Sequence, residues 1–369
     1  MTGNDYEKAF LEVFPDAPPG LVGENFPASV GLAAPLWQRL NDAVPGARWD
    51  ILPRCVFVML KPDCLARDCC TLAWKGLVAT GAVPLHVVSA MPDPGRWERL
   101  YQYNLSTLNP QNMVGSWWLT AQVLMAGPSI AALLYVPDTD GRSPAEVITT
   151  LKGPSDPYRT CPGQLRHDLL ATNVGMNMIH SADDSLLSAH EFLLFAGEED
   201  LRRALELAAD LHAGHDADGL HAAALQTIEA TAKPVTGHDL DPVSVLIRLK
   251  NRVRRLAPVA VRERTEEVYR RLETLAGERN GPTARWRAFE SIVRDELPSL
   301  PAGTDPVSSL MILLATPRSW GPDTTTTITA AMTAAGLEHS GWPRLVIDTT
   351  LHYTDRLPLS TPMEQSCAG

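Results

Sequence analysis

The feature that most constrains this chain is a short apolar run, Cys55–Leu60, cut off by Lys61-Pro62-Asp63. A run this short, rich in β-formers and closed by a proline, reads as a buried strand that displays polar residues at its end. Beyond it, helical and extended patterns alternate. Leu65–Thr80 carries apolar residues at near-helical spacing and stops at Gly81, a residue suited to ending a helix. Val83–Ala90 reads as a second strand and Asp93–Leu105 as a helix with Pro94 in its first turn. Ile130–Val136 reads as a third strand after Gly127-Pro128, and Pro144–Lys152 as a helix stopped by Gly153-Pro154. After a polar loop with Pro157, Pro162 and Gly163, Val174–His180 is a candidate fourth strand and Ser185–Phe195 begins another helix. The order βαββαβ predicts an α+β sandwich of the ferredoxin-like kind.

At 369 residues the chain is too long for one ordinary core. Residues 1–52, punctuated by Pro15, Pro18, Pro19, Pro27, Pro35 and Pro45, are expected to form an N-terminal extension packed on the sandwich, with short helices at Tyr6–Phe14 and Leu36–Ala43. The sandwich itself is expected over residues 53–212. From 213 to 369 the periodicity turns helical, at Pro242–Leu256, Arg262–Leu275 and Ala284–Leu297. Leu310–Ala315 and Leu345–Asp348 read as two strands with a helix at Thr324–Ala335 between them, so this part is expected to be a mainly helical domain with a small α/β portion.

The charge balance, 32 Lys+Arg against 43 Asp+Glu for a net −11, argues against general nucleic-acid binding while leaving room for a local cationic site. The longest apolar stretch, Ile130–Val136, is far short of the roughly 20 residues that span a bilayer. Met1–Phe14 is acidic and polar, unlike a secretory signal. A cytoplasmic protein with no membrane or nucleic-acid partner is therefore expected. None of the six cysteines has C-x-x-C spacing, and reduced thiols are expected. His212, His215 and His221 lack paired ligand spacing, so no metal site is assigned. The basic run Arg248, Lys250, Arg252, Arg254 and Arg255, extended by Arg262 and Arg264, reads as the solvated face of an amphipathic helix. A docking surface for an anionic substrate or an acidic partner is its alternative reading.

Neither a G-x-x-x-x-G-K-[ST] phosphate loop nor G-x-G-x-x-G, H-E-x-x-H or G-x-S-x-G occurs. What the chain does carry is an ordered constellation. It runs Lys61-Pro62-Asp63, Gly153-Pro-Ser155-Asp-Pro157, Pro162-Gly163-x-x-Arg166-x-Asp168, Gly175-x-Asn177-x-Ile179-His180, Asp184-Ser185 and Ser188-Ala189. In that order and spacing, from Pro53 to Ala209, the chain resembles the nucleoside diphosphate kinase family, as a divergent member with N- and C-terminal additions. The resemblance covers less than half the chain. It implies a phosphotransferase that moves the γ-phosphoryl group of ATP or another nucleoside triphosphate, with Mg²⁺ on the donor phosphates, through a phosphohistidine to a nucleotide or related acceptor. It also implies a nucleotide substrate and a homo-oligomer, unless the additions block the usual contacts.

Residue by residue, the family pattern places Lys61, Ser155, Arg166, Asn177 and His180 in the nucleotide site, and Glu191 beside the histidine to orient its ring. The base-stacking aromatic falls at Trp117 or Trp118, with Trp117 the better fit; the tyrosine that helps position the histidine falls at Tyr101 or Tyr103, with Tyr101 preferred. The chemistry suits these residues. A neutral imidazole is a competent nucleophile, and a phosphohistidine divides one transfer into two. Lys61 and Arg166 offer a point charge and a planar fork for equatorial phosphate oxygens, and Ser155 and Asn177 neutral hydrogen bonds.

Two positions depart from the pattern. Thr149 stands where the family has a phosphate-gripping arginine, with Lys152 and Arg142 the nearest basic side chains. The serine after the histidine is displaced by one residue in His180-Ser-Ala-Asp-Asp-Ser185. These departures keep two alternatives open: a nucleotide-binding regulatory or interaction module without turnover, and the same cleft used for a different nucleotide-dependent reaction. Each site residue also has an ordinary reading: a structural histidine at a strand end, solvated charges for Lys61, Arg166 and Glu191, and core packing for the tryptophans.

Overall fold

The computed structural model describes residues 3–22, 30–106, 117–137, 139–278, 281–301, 303, 305–321, 323–337 and 340–359. The chain divides into two compact units. The first comprises Met1–Gly153, Gly163–Leu169 and Met178–Gly237; the second comprises Pro154–Pro162, Leu170–Asn177 and His238–Gly369.

In the first unit, helices α1 (Gly3–Val13) and α2 (Val30–Ala43) precede strand β1 (Cys55–Leu60). Then come α3 (Pro62–Ala66), α4 (Cys70–Val78), β2 (Val83–Ala90), α5 (Pro94–Ser106), α6 (Trp117–Met125), β3 (Ser129–Tyr135) and α7 (Pro144–Lys152). Helix α8 (Leu165–Asp168), strand β4 (Ile179–Ser181) and helices α9 (Ser185–Leu193), α10 (Glu198–His212) and α11 (Leu220–Ala232) complete it. The four strands form one antiparallel sheet in the order β2-β3-β1-β4, an α+β arrangement with helices between the strands. Every residue of β1 and β3 is buried, as expected of central strands covered on both faces. Pro84 is tolerated because β2 lies at the sheet edge and its register shifts there. Phe57 and Met59 of β1, Leu133 of β3 and Leu186 and Phe192 of α9 share a core with Phe10, Leu36 and Trp37 from the N-terminal segment.

The fourth strand is shorter than its sequence suggests. Val174–Met178 is apolar apart from Asn177, but only Ile179–Ser181 pairs with β1. Met178 has φ 72°, a left-handed conformation costly for a long side chain, and this ends the extended backbone before the strand begins.

The second unit contains α12 (Pro242–Leu256), α13 (Val259–Arg264), α14 (Glu266–Gly277), α15 (Pro282–Glu296), α16 (Pro306–Ala315), α17 (Thr324–Ala334) and α18 (Gly341–His352). Leu310–Ala315 and Leu345–Asp348, expected as strands, lie in α16 and α18, so the small α/β portion is absent among the described residues. Short apolar runs do not distinguish a strand from a buried helix segment. In α16 the Asp305 cap, accepting from Val307 and Ser308 N–H, starts the helix that the run only continues. Segments from before β4 belong to this unit: Trp286 Nε1–H donates to the Tyr158 hydroxyl at 2.8 Å, Thr172 Oγ1 to Leu240 O at 2.8 Å, and the Asn173 amide to Thr349 Oγ1 at 2.8 Å.

Cys55, Cys64, Cys69 and Cys70 are free thiols, whereas Cys161 is disulfide-bonded, contrary to the expectation of reduced thiols throughout. Local C-x-x-C spacing says nothing about pairing between residues distant in sequence. Among the described residues, no helix is long and apolar enough to cross a membrane.

Candidate active site

The sheet and α9 build the centre of the site. Asp184 caps α9 by accepting from Leu187 N–H at 2.7 Å. Ser188 donates to Asp184 O at 2.7 Å and accepts from Phe57 N–H of β1 at 3.0 Å. This anchorage fixes the helix against the strand, and it brings Glu191 Oε2 to 2.8 Å from His180 Nε2 on β4. The Tyr101 ring from α5 lies 5.4 Å from the imidazole, tilted by 58°. The Phe57 ring lies 6.2 Å from the same imidazole.

Lys61-Pro62-Asp63 is tied directly to the strand that carries His180. Lys61 N–H donates to Met178 O at 2.9 Å, and Met178 N–H donates to Asp63 Oδ2 at 2.8 Å. Both backbone groups of the strained residue are thereby held, which accounts for its persistence. Pro62 at the first position of α3 needs no N–H partner there. Lys61 and Asp63 are buried, and one Asp63 oxygen, Oδ1, has no hydrogen-bond partner among the described residues.

Arg166 of α8 is buried, donating from Nη1 to Gly153 O at 2.6 Å and from Nη2 to Ile179 O at 2.9 Å. Its fork thus joins the end of α7 to β4. Gly153 takes φ 75° at this corner, and a Cβ there would meet the Gln164 amide oxygen at 2.7 Å, so glycine is required on both counts. At the same corner Lys152 is buried and donates to Ser181 Oγ at 2.6 Å and Ser181 O at 3.5 Å.

The electrostatics follow from burial of this cationic cluster. Burial, then Lys152, Lys61 and Arg166, push the His180 imidazole down to about 3, with Asp183 opposing them; the ring is neutral across the ordinary pH range. Burial, reinforced by Asp183 and opposed by Lys152, pushes the Glu191 carboxyl well up. Burial lowers Lys152 to about 8 and Arg166 to about 10. Lys61 is lowered by burial and by Arg166 against the pull of Asp63, and the Tyr101 phenol is raised, chiefly by burial.

Of the residues expected from sequence, the structure brings Lys61, Tyr101, Arg166, His180 and Glu191 together in the first unit. Ser155, exposed, and Asn177, whose amide donates to Val174 O at 2.9 Å, fall in the second unit. Trp117 opens α6, but its side chain lies outside the described residues, as does that of Tyr103; Trp118 is exposed. Thr149 is exposed on α7. Sequence reasoning misses the role of Asp63 in holding Met178, a long-range contact with no local signature. It marks Lys152 only as a nearby basic residue, and the burial of that side chain beside Ser181 is the larger surprise.

No protein-family model matches the chain. It is 33% identical over 64 residues to a nucleoside diphosphate kinase of Herpetosiphon aurantiacus, covering 17% of this chain and 42% of that protein. It is 25% identical over 150 residues to a nucleoside diphosphate kinase of Archaeoglobus fulgidus, covering 39% of this chain and 87% of that protein. The chain thus spans less than half of the first relative's length and most of the second's. Among solved structures, the apo nucleoside diphosphate kinase of Encephalitozoon cuniculi matches with 21% identity and a TM-score of 0.34, over 39% of this chain and 89% of that one. The Aquifex aeolicus nucleoside diphosphate kinase matches with 18% identity and a TM-score of 0.33, over 39% and 96%. The sequence matches relate this chain to nucleoside diphosphate kinases at low identity and over part of its length.

Proposed function

We propose that the chain is a phosphotransferase in which His180 accepts the γ-phosphoryl group of a nucleoside triphosphate and passes it to a nucleotide or related acceptor. The observation that carries this reading is an imidazole engaged at Nε2 by Glu191 at 2.8 Å, which burial and the charges of Lys152, Lys61 and Arg166 keep neutral. With the ring proton on Nε2 and donated to Glu191, Nδ1 holds the lone pair. Attack of Nδ1 on the γ-phosphorus forms the N–P bond, breaks the bond to the bridging oxygen and releases the nucleoside diphosphate. The transfer requires Glu191 in its ionised form, against the burial that raises its carboxyl; positive charge that develops on the ring is then met by that carboxylate at 2.8 Å. The reverse step delivers the phosphoryl group to the acceptor.

Cations of this kind suit phosphoryl transfer, which depends on positioning and on charge around the equatorial oxygens more than on covalent help. Mg²⁺ arrives as part of the nucleotide substrate, held by its phosphates and water. Trp117 as base-stacking residue, Ser155 and Asn177 as nucleotide ligands, Tyr101 as positioning residue, a homo-oligomer and a cytoplasmic location belong to the same proposal. The protein is to be incubated with γ-labelled ATP and Mg²⁺ and assayed for acid-labile label. The expected result is label on the wild type and none on His180→Ala; equal labelling of both overturns the reading.

One observation favours a second reading, binding without turnover. Arg166 spends two donors on backbone carbonyls, and Thr149, where a phosphate-gripping arginine is expected, is exposed. ADP binding to a protein that never acquires label decides for it.

A further inference from the structure

Lys152 is a buried ammonium whose hydrogen bonds, among the described residues, go only to neutral oxygens. Its residue exposure is 8%, and its two acceptors are the hydroxyl and the carbonyl of Ser181. No carboxylate among the described residues lies within ion-pair distance of it; Asp183 and Glu191 act on it from farther away, and Arg166 opposes its charge. Buried charges are ordinarily paired, because an ammonium taken out of water recovers too little from neutral acceptors. The position is also specific. Lys152 ends α7, the next residue supplies the carbonyl gripped by Arg166, and its acceptor Ser181 follows His180 directly in β4.

We propose that Lys152 is a phosphate ligand of this site, parked on Ser181 and exchanged onto the terminal phosphate of a polyphosphate substrate when one binds. This rests on the phosphotransferase reading above and deepens it by naming a cation that holds the terminal phosphate while His180 attacks it. The exchange replaces a neutral acceptor by an anionic one, so the buried charge gains its counterion only with substrate present. Ser181 in turn acts as an internal competitor, holding the ammonium on the residue next to His180 without neutralising it. The other charged groups facing Lys152, namely Arg166 on α8, Asp183 before α9 and Glu191 on α9, remain in place.

The test is equilibrium binding of two probes, Mg²⁺-ATP and inorganic tripolyphosphate, to the full chain and to Lys152→Met and Ser181→Ala. Loss of one charge-assisted contact predicts affinity about 10- to 100-fold weaker in Lys152→Met for both probes. Removal of the competitor predicts affinity roughly two- to tenfold tighter in Ser181→Ala, a gain that a purely structural lysine does not produce. Unchanged binding by Lys152→Met with binding by the wild type overturns the role of Lys152 and leaves the phosphotransferase reading standing. Tripolyphosphate binding that depends on Lys152, in a protein that does not bind ATP, supports the phosphate ligand and overturns the nucleotide reading. If Lys152→Met does not fold, Ser181→Ala decides alone: weaker binding there means that the hydroxyl itself holds the anion, and the exchange is wrong. Failure of the wild type to bind either probe overturns both proposals.

Discussion

Lys250 and Lys152 are both buried, one in each unit, with opposite surroundings. Lys250 on α12 is fully buried, its Nζ 2.5 Å from Glu296 Oε2, and the Tyr269 ring lies 5.6 Å from the same nitrogen. Lys152 on α7 is almost as buried and, among the described residues, has only the oxygens of Ser181. Burial lowers both, and at Lys250 the carboxylate of Glu296 opposes the shift. The first lysine is half of a completed ion pair inside a helical core; the second carries its charge on the residue next to His180. The difference teaches that burial of a charge does not mark a site by itself. What marks it is a buried charge whose counterion the fold does not supply.

The comparison breaks most readily on stability. Lys250→Met strands the Glu296 carboxylate in the core and is expected to cost about 3–5 kcal/mol, read by chemical denaturation. Lys152→Met strands no carboxylate and is expected to leave stability unchanged or higher. Equal losses in the two variants would erase the distinction.

A pH series sharpens it. Lys152 falls from 10.5 in its ordinary state to about 8 in the fold, so between these values the unfolded chain holds a proton that the native one has released. Stability must therefore rise with pH across that window, by an amount on the order of 3 kcal/mol for the whole shift. The difference between wild type and Lys152→Met isolates this rise from other titrations, and a flat difference contradicts the burial argument.

The smallest effect is spectroscopic. His180, lowered from 6.5 to about 3, should show no ring protonation by nitrogen NMR between pH 7 and roughly 4.5. Its contribution to stability is present above 6.5 and is lost as the pH falls toward 3, because the unfolded chain takes up the proton first. A ring that titrates near 6.5 would show that neither burial nor the cations act on it.

Much of this is legible in the sequence, and the illegible remainder has physical causes. The run Cys55–Leu60 with its proline stop is a local signal and places the central strand, whereas Glu191 as the imidazole's partner is legible only through the family resemblance. The basic stretch from Arg248 to Arg264 is only partly legible: Arg248 and Arg255 are exposed as a solvated face requires, but Lys250 turns inward to Glu296. The left-handed backbone of Met178 depends on Asp63, far away along the chain, so no window around Met178 announces it. For the same reason Lys152 resembles a surface charge at a helix end, since its burial depends on β4. Leu310–Ala315 and Leu345–Asp348 mislead because their length fits either a strand or one face of a packed helix.

The central claim is that the fold aims Nδ1 of one imidazole at a phosphate while Glu191 occupies Nε2. Phosphorus NMR of the protein after reaction with Mg²⁺-ATP tests it most directly, because phosphoramidates on the two ring nitrogens are distinguishable. The account predicts a single phosphohistidine linked through Nδ1 of His180 and absent from His180→Asn. Phosphorus on Nε2, on a serine, or undiminished in that variant would contradict it.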